Sequence, residues 1–296
     1  MTLKNRNIYN FTNFNPINKF LKKFNLKSFN NKKKINLYVK FFELEKLIKK
    51  LNYDNVKDTS PRYLLNLKKK NKKPLVFEFD DLCRLHWIVL TRKALNIMEF
   101  GSGFSTVFIA DACSILSYYF RKVKDIRVSK KFHVYSLEEN SKFLKITQKR
   151  LFKNLKKHVS LIKCNHKIIE YQGKFASRCT NIPNISPDLI YLDGPSQYFT
   201  KKKLNGFNFD SISRFPMSSD LLSLEYFLEP GTFIVVDGRT SNARFLKDFF
   251  KRKWKYTNDS FADTHYFELV EKPIGKYNLN KLNFCLDKKI KINNKF

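Results

Sequence analysis

The chain has 296 residues with 43% apolar residues, enough for one sizeable α/β domain plus an extension. Its net charge of +32 would suit nucleic acid or an anionic membrane. However, heavy use of Lys, Asn, Phe, Ile and Tyr with only 8 Gly is also what an AT-rich genome produces, and we weight that bias more heavily. The apolar runs are too short to span a membrane, and no secretory signal begins the chain.

The cysteines are odd in number and scattered. They show no CxxC motif and no Cys/His spacing typical of zinc. We therefore expect reduced thiols in a cytoplasmic protein. The five positions are Cys83, Cys113, Cys164, Cys179 and Cys285.

The first 74 residues are predicted to form a basic, partly helical N-terminal extension. Residues 1–35 are rich in Asn, Lys and Phe, and form either a poorly ordered arm or one whose Phe side chains dock on the main domain. Apolar residues at three- and four-residue spacing predict one helix over 36–52. The basic stretch 68–73 is a hinge, an anionic-surface contact or, as we favour, a solvated loop.

From residue 75 to 272 the pattern is that of one domain, followed by a basic tail at 273–296. A helix capped by Asp80 or Asp81 contains His86, which we expect to be packed rather than catalytic. Beyond it, strands and helices alternate, which predicts a mostly parallel sheet covered on both faces. The predicted strands are 96–100, 132–137, 159–162, 188–192, 232–236 and 266–270, and the predicted helices are 105–120, 143–155, 221–228 and 243–253.

The first strand ends in a glycine-rich turn that leads into a helix. Glu99 precedes Gly101-Ser102-Gly103. A dinucleotide fingerprint would have Gly or Ala in place of Thr106 and an acid about 20 residues on, whereas the next strand-end acid is Glu138. A carboxylate at position 99 would repel a pyrophosphate, and it suits a cationic ligand with an amino group and a sulfonium.

Acidic residues recur where predicted strands end. Glu99 lies near the end of the first strand, and Glu138, Asp193 and Asp237 follow the second, fourth and fifth strands. Because ligands of open α/β sheets bind outside the carboxyl ends of the strands, these acids are candidates for one site.

The motif Glu-x-Gly-x-Gly-x-Ser at 99–105, together with the pattern of residues 80–271, resembles the class I S-adenosylmethionine-dependent methyltransferases. The resemblance implies a Rossmann-like three-layer α/β/α sandwich with a seven-stranded sheet and S-adenosylmethionine as the cofactor. It implies that Glu138, or else Glu139, holds the ribose diol and that Asp193 lies near the reacting methyl group. The implied cofactor-binding residues are Glu99, Gly101, Ser102, Gly103, Ser105, Glu138, Asn165 and Asp193.

Asp193 and Asp237 are the predicted catalytic residues. Both match metal ligands of the catechol-type O-methyltransferases, but Gly238 stands where that family has Asn, so we predict no metal. The alternative is that the two acids position a substrate hydroxyl or amine, with Arg239 on an anionic group. His265 is a distant candidate base that we expect at the surface. The long segment 195–218 is predicted to be a lid or substrate loop, or else a covering insertion.

The sequence therefore predicts a cytoplasmic S-adenosylmethionine-dependent methyltransferase acting on an oxygen or nitrogen of a small molecule or sugar. One alternative is a nucleotide-sugar or NAD-dependent enzyme. Another is a nucleic-acid-binding protein that uses a methyltransferase-like scaffold. We also expect non-specific contact with nucleic acid from the charge alone. An Asn-Pro-Pro-Tyr-type motif is missing after the fourth strand, which argues against base methylation.

Overall fold

A computed structural model describes residues 5–50, 79–195, 203–209 and 217–287. Its helices are α1 (Asn15–Leu21), α2 (Lys32–Phe42), α3 (Glu45–Lys50), α4 (Phe79–Thr91), α5 (Phe104–Phe120), α6 (Ser141–Arg150), α7 (Asp220–Leu224), α8 (Thr240–Phe249) and α9 (Lys276–Leu286). Its strands are β1 (Asn96–Phe100), β2 (His133–Glu138), β3 (Val159–Lys163), β4 (His166–Tyr171), β5 (Lys174–Cys179), β6 (Leu189–Leu192), β7 (Phe233–Asp237), β8 (Trp254–Asp259) and β9 (Thr264–Leu269). The predicted loop at 68–73 and most of the predicted lid lie outside the described residues.

Seven strands form one sheet in the order β3-β2-β1-β6-β7-β9-β8. The first five are parallel, whereas β9 runs antiparallel to β7 and β8 antiparallel to β9. The chain passes from β1 outward to β3 and then returns to the other side of β1 at β6. This is a switch point in strand order, where open α/β sheets bind their ligands. The prediction of a Rossmann-like, mostly parallel seven-stranded sheet is confirmed.

The central strands are buried on both faces, as a parallel sheet between helix layers requires. Along β1, Ile97 belongs to one apolar cluster and Met98 to the other, because successive side chains of a strand point to opposite faces. One cluster includes residues of α4, α5 and the N-terminal helices, and the other includes residues of α7 and α8. No helix in the described ranges is long and apolar enough to cross a bilayer.

The N-terminal segment packs onto the domain through its aromatic residues, so the docking alternative is correct for residues 5–35. The buried aromatic side chains are Phe14, Phe20, Phe24 and Phe29. Arg6 is also buried, and it donates to Asp111 on α5 and to the carbonyl of Phe42. The single helix predicted over 36–52 is wrong, because Glu43 takes a left-handed conformation (φ 51°) that ends α2 before α3 begins.

Several element predictions need correction. The hairpin β4–β5 and the edge strand β8 were not predicted, and the helix predicted over 143–155 ends at Arg150. Asp80 and Asp81 lie within the first turn of α4 and are not its cap. The predicted tail contains α9, which buries Leu282 against Gly231. In each case, contacts between distant parts of the chain settle what local pattern left open.

Candidate functional site

The turn after β1 is shaped by close contact between two backbones. Gly101 has φ +97°, and its N–H donates to the carbonyl of Leu137 (2.8 Å). A Cβ at Gly101 would lie 3.3 Å from the carbonyl oxygen of Asp193, and one at Gly194 would lie 3.0 Å from that of Phe100. Both positions therefore require glycine, and their contact joins the ends of β1 and β6.

Glu99 is fully buried beneath the start of α5. Its two carboxylate oxygens accept hydrogen bonds from Ser105 Oγ and Thr106 Oγ1, each at 2.6 Å. Burial raises the pKa of Glu99 to about 7 because the charged form is poorly solvated, although these hydroxyls oppose the shift. Within the protein, Glu99 thus fixes the turn and the first residues of the helix. Direct contact of Glu99 or Ser105 with a cofactor stays a prediction.

Glu138 at the end of β2 is fastened to the same turn. Its Oε2 accepts from the N–H of Ser102 (2.9 Å) and from Ser102 Oγ (3.1 Å), and its Oε1 accepts from the N–H of Asn140 (2.7 Å). Burial raises the pKa of Glu138, and the two backbone hydrogen bonds oppose that rise. The structure therefore places Glu138 beside the glycine turn, next to the strand-order reversal.

Gly103 differs from Gly101. It begins α5 with an extended backbone (φ 178°), and a Cβ built on it would meet no atom of the described residues within 4 Å. Its N–H donates to Thr106 Oγ1 (3.0 Å). Packing does not require glycine here, so the open space beside Gly103 is the place on this turn that a ligand could occupy.

Asp193 follows β6 and lies at the same edge of the sheet. Its N–H donates to the carbonyl of Phe100 (3.0 Å), and its own carbonyl accepts from Arg239 Nη2 (2.9 Å). The side chain is 55% exposed, so it is accessible to a reactant. The pKa of Asp193 is raised to about 7, first because surrounding protein limits its hydration and then because Asp237 and nearby glutamates repel its charge; Arg239 opposes the shift.

Asp237 closes β7, beside β6, and accepts a hydrogen bond from the hydroxyl of Tyr191. Asp81 in the first turn of α4 pairs with Arg84, and its pKa is raised to about 8, first by burial and then by repulsion from Asp237. Sequence reasoning treated Asp81 only as a helix cap. The signal it missed was an acid at the N-terminus of the helix that precedes β1 and its glycine turn.

Of three other residues singled out from the sequence, one is exposed and two are buried. Asn165 is exposed before β4, and its backbone pairs with Thr180, so an adenine contact stays a prediction. His265 was expected at the surface, but it is buried in β9 between Thr240 Oγ1 (2.9 Å) and Tyr256 OH (2.8 Å). His86 is packed, as predicted, between Tyr38 and Asp111.

The sheet reverses its strand order beside β1 and ends with the antiparallel β9 and β8. The glycine turn and the strand-end acids lie at the carboxyl edge of its parallel strands. The chain has a Rossmann-like fold with a mostly parallel seven-stranded sheet. No protein-family model matches the sequence, and no curated protein matches it.

Among solved structures, the chain is similar to several methyltransferases at low sequence identity. An O-methyltransferase from Bacillus cereus in complex with SAH is 14% identical, over 73% of this chain and 92% of that one, with a TM-score of 0.38. The O-methyltransferase TomG from Streptomyces achromogenes, involved in tomaymycin synthesis and in complex with SAM, gives the same values. The SAH-bound methyltransferase PaMTH1 from Podospora anserina is 11% identical, over 77% and 96%, with a TM-score of 0.36.

Proposed function

We propose that the chain is an S-adenosylmethionine-dependent methyltransferase that acts on an oxygen or nitrogen of a small molecule or sugar. The observation that carries the proposal is the negative charge at the start of α5, the helix that follows β1. Two buried carboxylates, Glu99 and Glu138, already accept hydrogen bonds from the hydroxyl and N–H donors there.

A free helix N-terminus normally favours a phosphate, because its N–H groups and its dipole attract negative charge. Here Glu138 accepts the N–H of Ser102, and Glu99 lies directly beneath the helix. A pyrophosphate at this turn would face two carboxylates. This argues against the NAD-dependent and nucleotide-sugar alternatives and favours a ligand with positive charge, such as a sulfonium that also carries an ammonium group.

Bound S-adenosylmethionine would supply a methyl group activated on sulfur. Glu138 would hold the ribose, because a carboxylate accepts hydrogen bonds from two hydroxyls. The Gly101–Gly103 backbone would run along the methionine and the sugar, with the open space at Gly103 leaving room for them. The role of Asn165 beside the adenine is the least supported of these assignments, since only its exposure speaks for it.

Asp193 and Asp237 would serve the acceptor. Asp193 is accessible at the edge of the sheet, and its carboxylate would take a proton from a hydroxyl or ammonium acceptor. Asp237 is oriented by the Tyr191 hydroxyl, and Arg239 holds the backbone of Asp193 in place. The main contribution of these residues is to align the acceptor with the donor.

Calorimetric titration tests the proposal. Purified protein should bind S-adenosylmethionine and S-adenosylhomocysteine, and S-adenosylhomocysteine at a hundredfold excess over its Kd should stabilise the fold by about 2.7 kcal/mol. NAD is the control and should neither bind nor shift the melting temperature. A shift with NAD and none with millimolar S-adenosylhomocysteine would reject the proposal.

The second candidate, a nucleic-acid-binding protein on this scaffold, is favoured only by the charge of +32. Tight, sequence-selective binding of a nucleic acid at physiological salt, without binding of S-adenosylmethionine, would support it in place of the first.

A further inference from the structure

A second group of reactive side chains lies at the base of the β4–β5 hairpin. Cys164, His166 and Cys179 are all buried, and one potential ligand atom from each lies within 4.8 Å of the others. Both cysteines are reduced. The proposed transferase chemistry uses none of the three, so the cluster needs an explanation of its own.

The backbone brings these residues together without any help from a ligand. Cys164 directly follows β3, and its N–H donates to the carbonyl of Glu138 (3.1 Å). His166 opens β4 and Cys179 closes β5, and the two are direct partners in the antiparallel ladder. Three potential ligands are therefore positioned by regular hydrogen bonding, which lowers the entropic cost of binding an ion.

The imidazole of His166 has the surroundings of a metal ligand. Its ring lies against Cys164, with Nδ1 3.9 Å from Sγ. Nδ1 is also 3.0 Å from Glu139 Oε2, so the nitrogen left for an ion is Nε2, which is buried with no hydrogen-bond partner among the described residues. A buried nitrogen without a partner is costly. Histidines that bind metals commonly pair their other ring nitrogen with a carboxylate, and Glu139 supplies one.

The second cysteine is held just as firmly. The N–H of Cys179 donates to Asp220 Oδ1 (2.8 Å), and Asp220 Oδ2 accepts from Ser218 Oγ (2.9 Å). Asp220 is therefore engaged in fixing the hairpin base to the start of α7. The donor set of the cluster remains two sulfurs and one imidazole nitrogen.

We propose that Cys164, His166 and Cys179 bind a zinc ion. Two thiolates and an imidazole suit Zn²⁺, which prefers tetrahedral sulfur and nitrogen ligands, and each thiol releases its proton to solvent on binding. The ion joins the ends of β3 and β5 and lies beside Glu139. It thereby supports the strand end that carries Glu138.

Metal analysis of the full chain tests this site. Protein purified without chelators, and with any affinity tag removed, should contain about one zinc per chain by mass spectrometry. Cys164→Ala and Cys179→Ala should lose the zinc. Cys113→Ala, which removes a buried cysteine from α5, should retain it. Equal zinc in all three variants would overturn the proposal.

Two further measurements leave all three proposed ligands in place. Replacing the metal in the wild type with Co²⁺ should give a thiolate-to-metal charge-transfer band in the near ultraviolet. Glu139→Gln should weaken zinc binding about 10- to 100-fold in competition with a chelator. Failure to take up Zn²⁺ or Co²⁺ under reducing conditions would refute the site, as would a Cys164–Cys179 disulfide in freshly isolated protein. Neither result would bear on S-adenosylmethionine binding, so the two proposals fail separately.

Discussion

At the end of β1, the Glu99 carboxylate has no exposed surface and is held by two hydroxyls, while Glu138 is fastened to the same turn by Ser102. Asp193, across the turn, keeps an accessible side chain. Glu99 therefore supports the turn, and the proposal assigns Glu138 to the donor and the more accessible Asp193 to the acceptor.

Substitutions at Glu138 and Asp193 should separate donor binding from turnover. Glu138→Ala removes a carboxylate that would bind the ribose, and hydrogen bonds to charged groups contribute roughly 1.5–3 kcal/mol. We therefore expect S-adenosylmethionine affinity to fall about ten- to a hundredfold by calorimetry. Asp193→Ala should leave that affinity within a few-fold and lower turnover. Melting curves control for loss of fold, because Glu138 also anchors Ser102. Loss of donor binding in Asp193→Ala alone would contradict this placement.

The raised pKa of Glu99 predicts a dependence of stability on pH. Its pKa is about 7 in the folded protein and 4.5 ordinarily, so the folded state holds the proton more tightly. The bound proton therefore adds about 3 kcal/mol to the free energy of unfolding below about pH 4.5, and this contribution is lost as the pH rises through 7. Glu99→Gln stays neutral. In urea unfolding, the free energy of unfolding of the wild type should therefore fall by about 3 kcal/mol relative to Glu99→Gln as the pH rises from 4.5 through 7. Parallel profiles would show that the carboxylate ionises at its ordinary pKa.

At the scale of the elements, the two glycines of the turn predict opposite effects. Gly101→Ala forces a side chain into positive φ and against the Asp193 carbonyl, so the free energy of unfolding should fall by about 1–3 kcal/mol. Gly103 has an extended backbone and open space beside it, so Gly103→Ala should change the free energy of unfolding by less than about 0.5 kcal/mol.

The same pair tests where the ligand lies. If S-adenosylhomocysteine fills the space beside Gly103, the added methyl group should weaken its binding about tenfold or more, while urea unfolding of Gly103→Ala matches the wild type. Unchanged affinity in Gly103→Ala would place the ligand elsewhere.

At the scale of the whole molecule, the N-terminal segment is tied into the domain by a buried ion pair. Arg6 Nη1 donates to Asp111 Oδ2 (2.9 Å), and His86 Nε2 lies 3.3 Å from the same oxygen. These contacts join three parts of the chain that are far apart in sequence. The division at residues 74 and 272 stays a prediction.

The charge of +32 predicts non-specific binding to nucleic acid. Because binding releases counterions, the logarithm of the binding constant should fall linearly with the logarithm of the salt concentration. Fluorescence anisotropy with two unrelated duplexes of equal length should give the same slope and nearly equal affinities. A preference for one sequence that persists at physiological salt would contradict a purely electrostatic origin.

The sequence by itself determined the alternation of strands and helices and the glycine turn with its acids. These depend on local periodicity, on backbone freedom and on the shared edge of parallel strands, all of which can be read along the chain. It therefore predicted Glu138 and Asp193 at one edge of the sheet, where the structure has them.

Only the tertiary structure decided which distant residues meet. Arg6 pairs with Asp111, and Cys164 meets Cys179 across an unpredicted hairpin. No short-range spacing encodes these contacts, because each depends on how packed elements bring separate segments together. For the same reason, the docking of the N-terminal aromatic residues stayed open until the core that buries them was known.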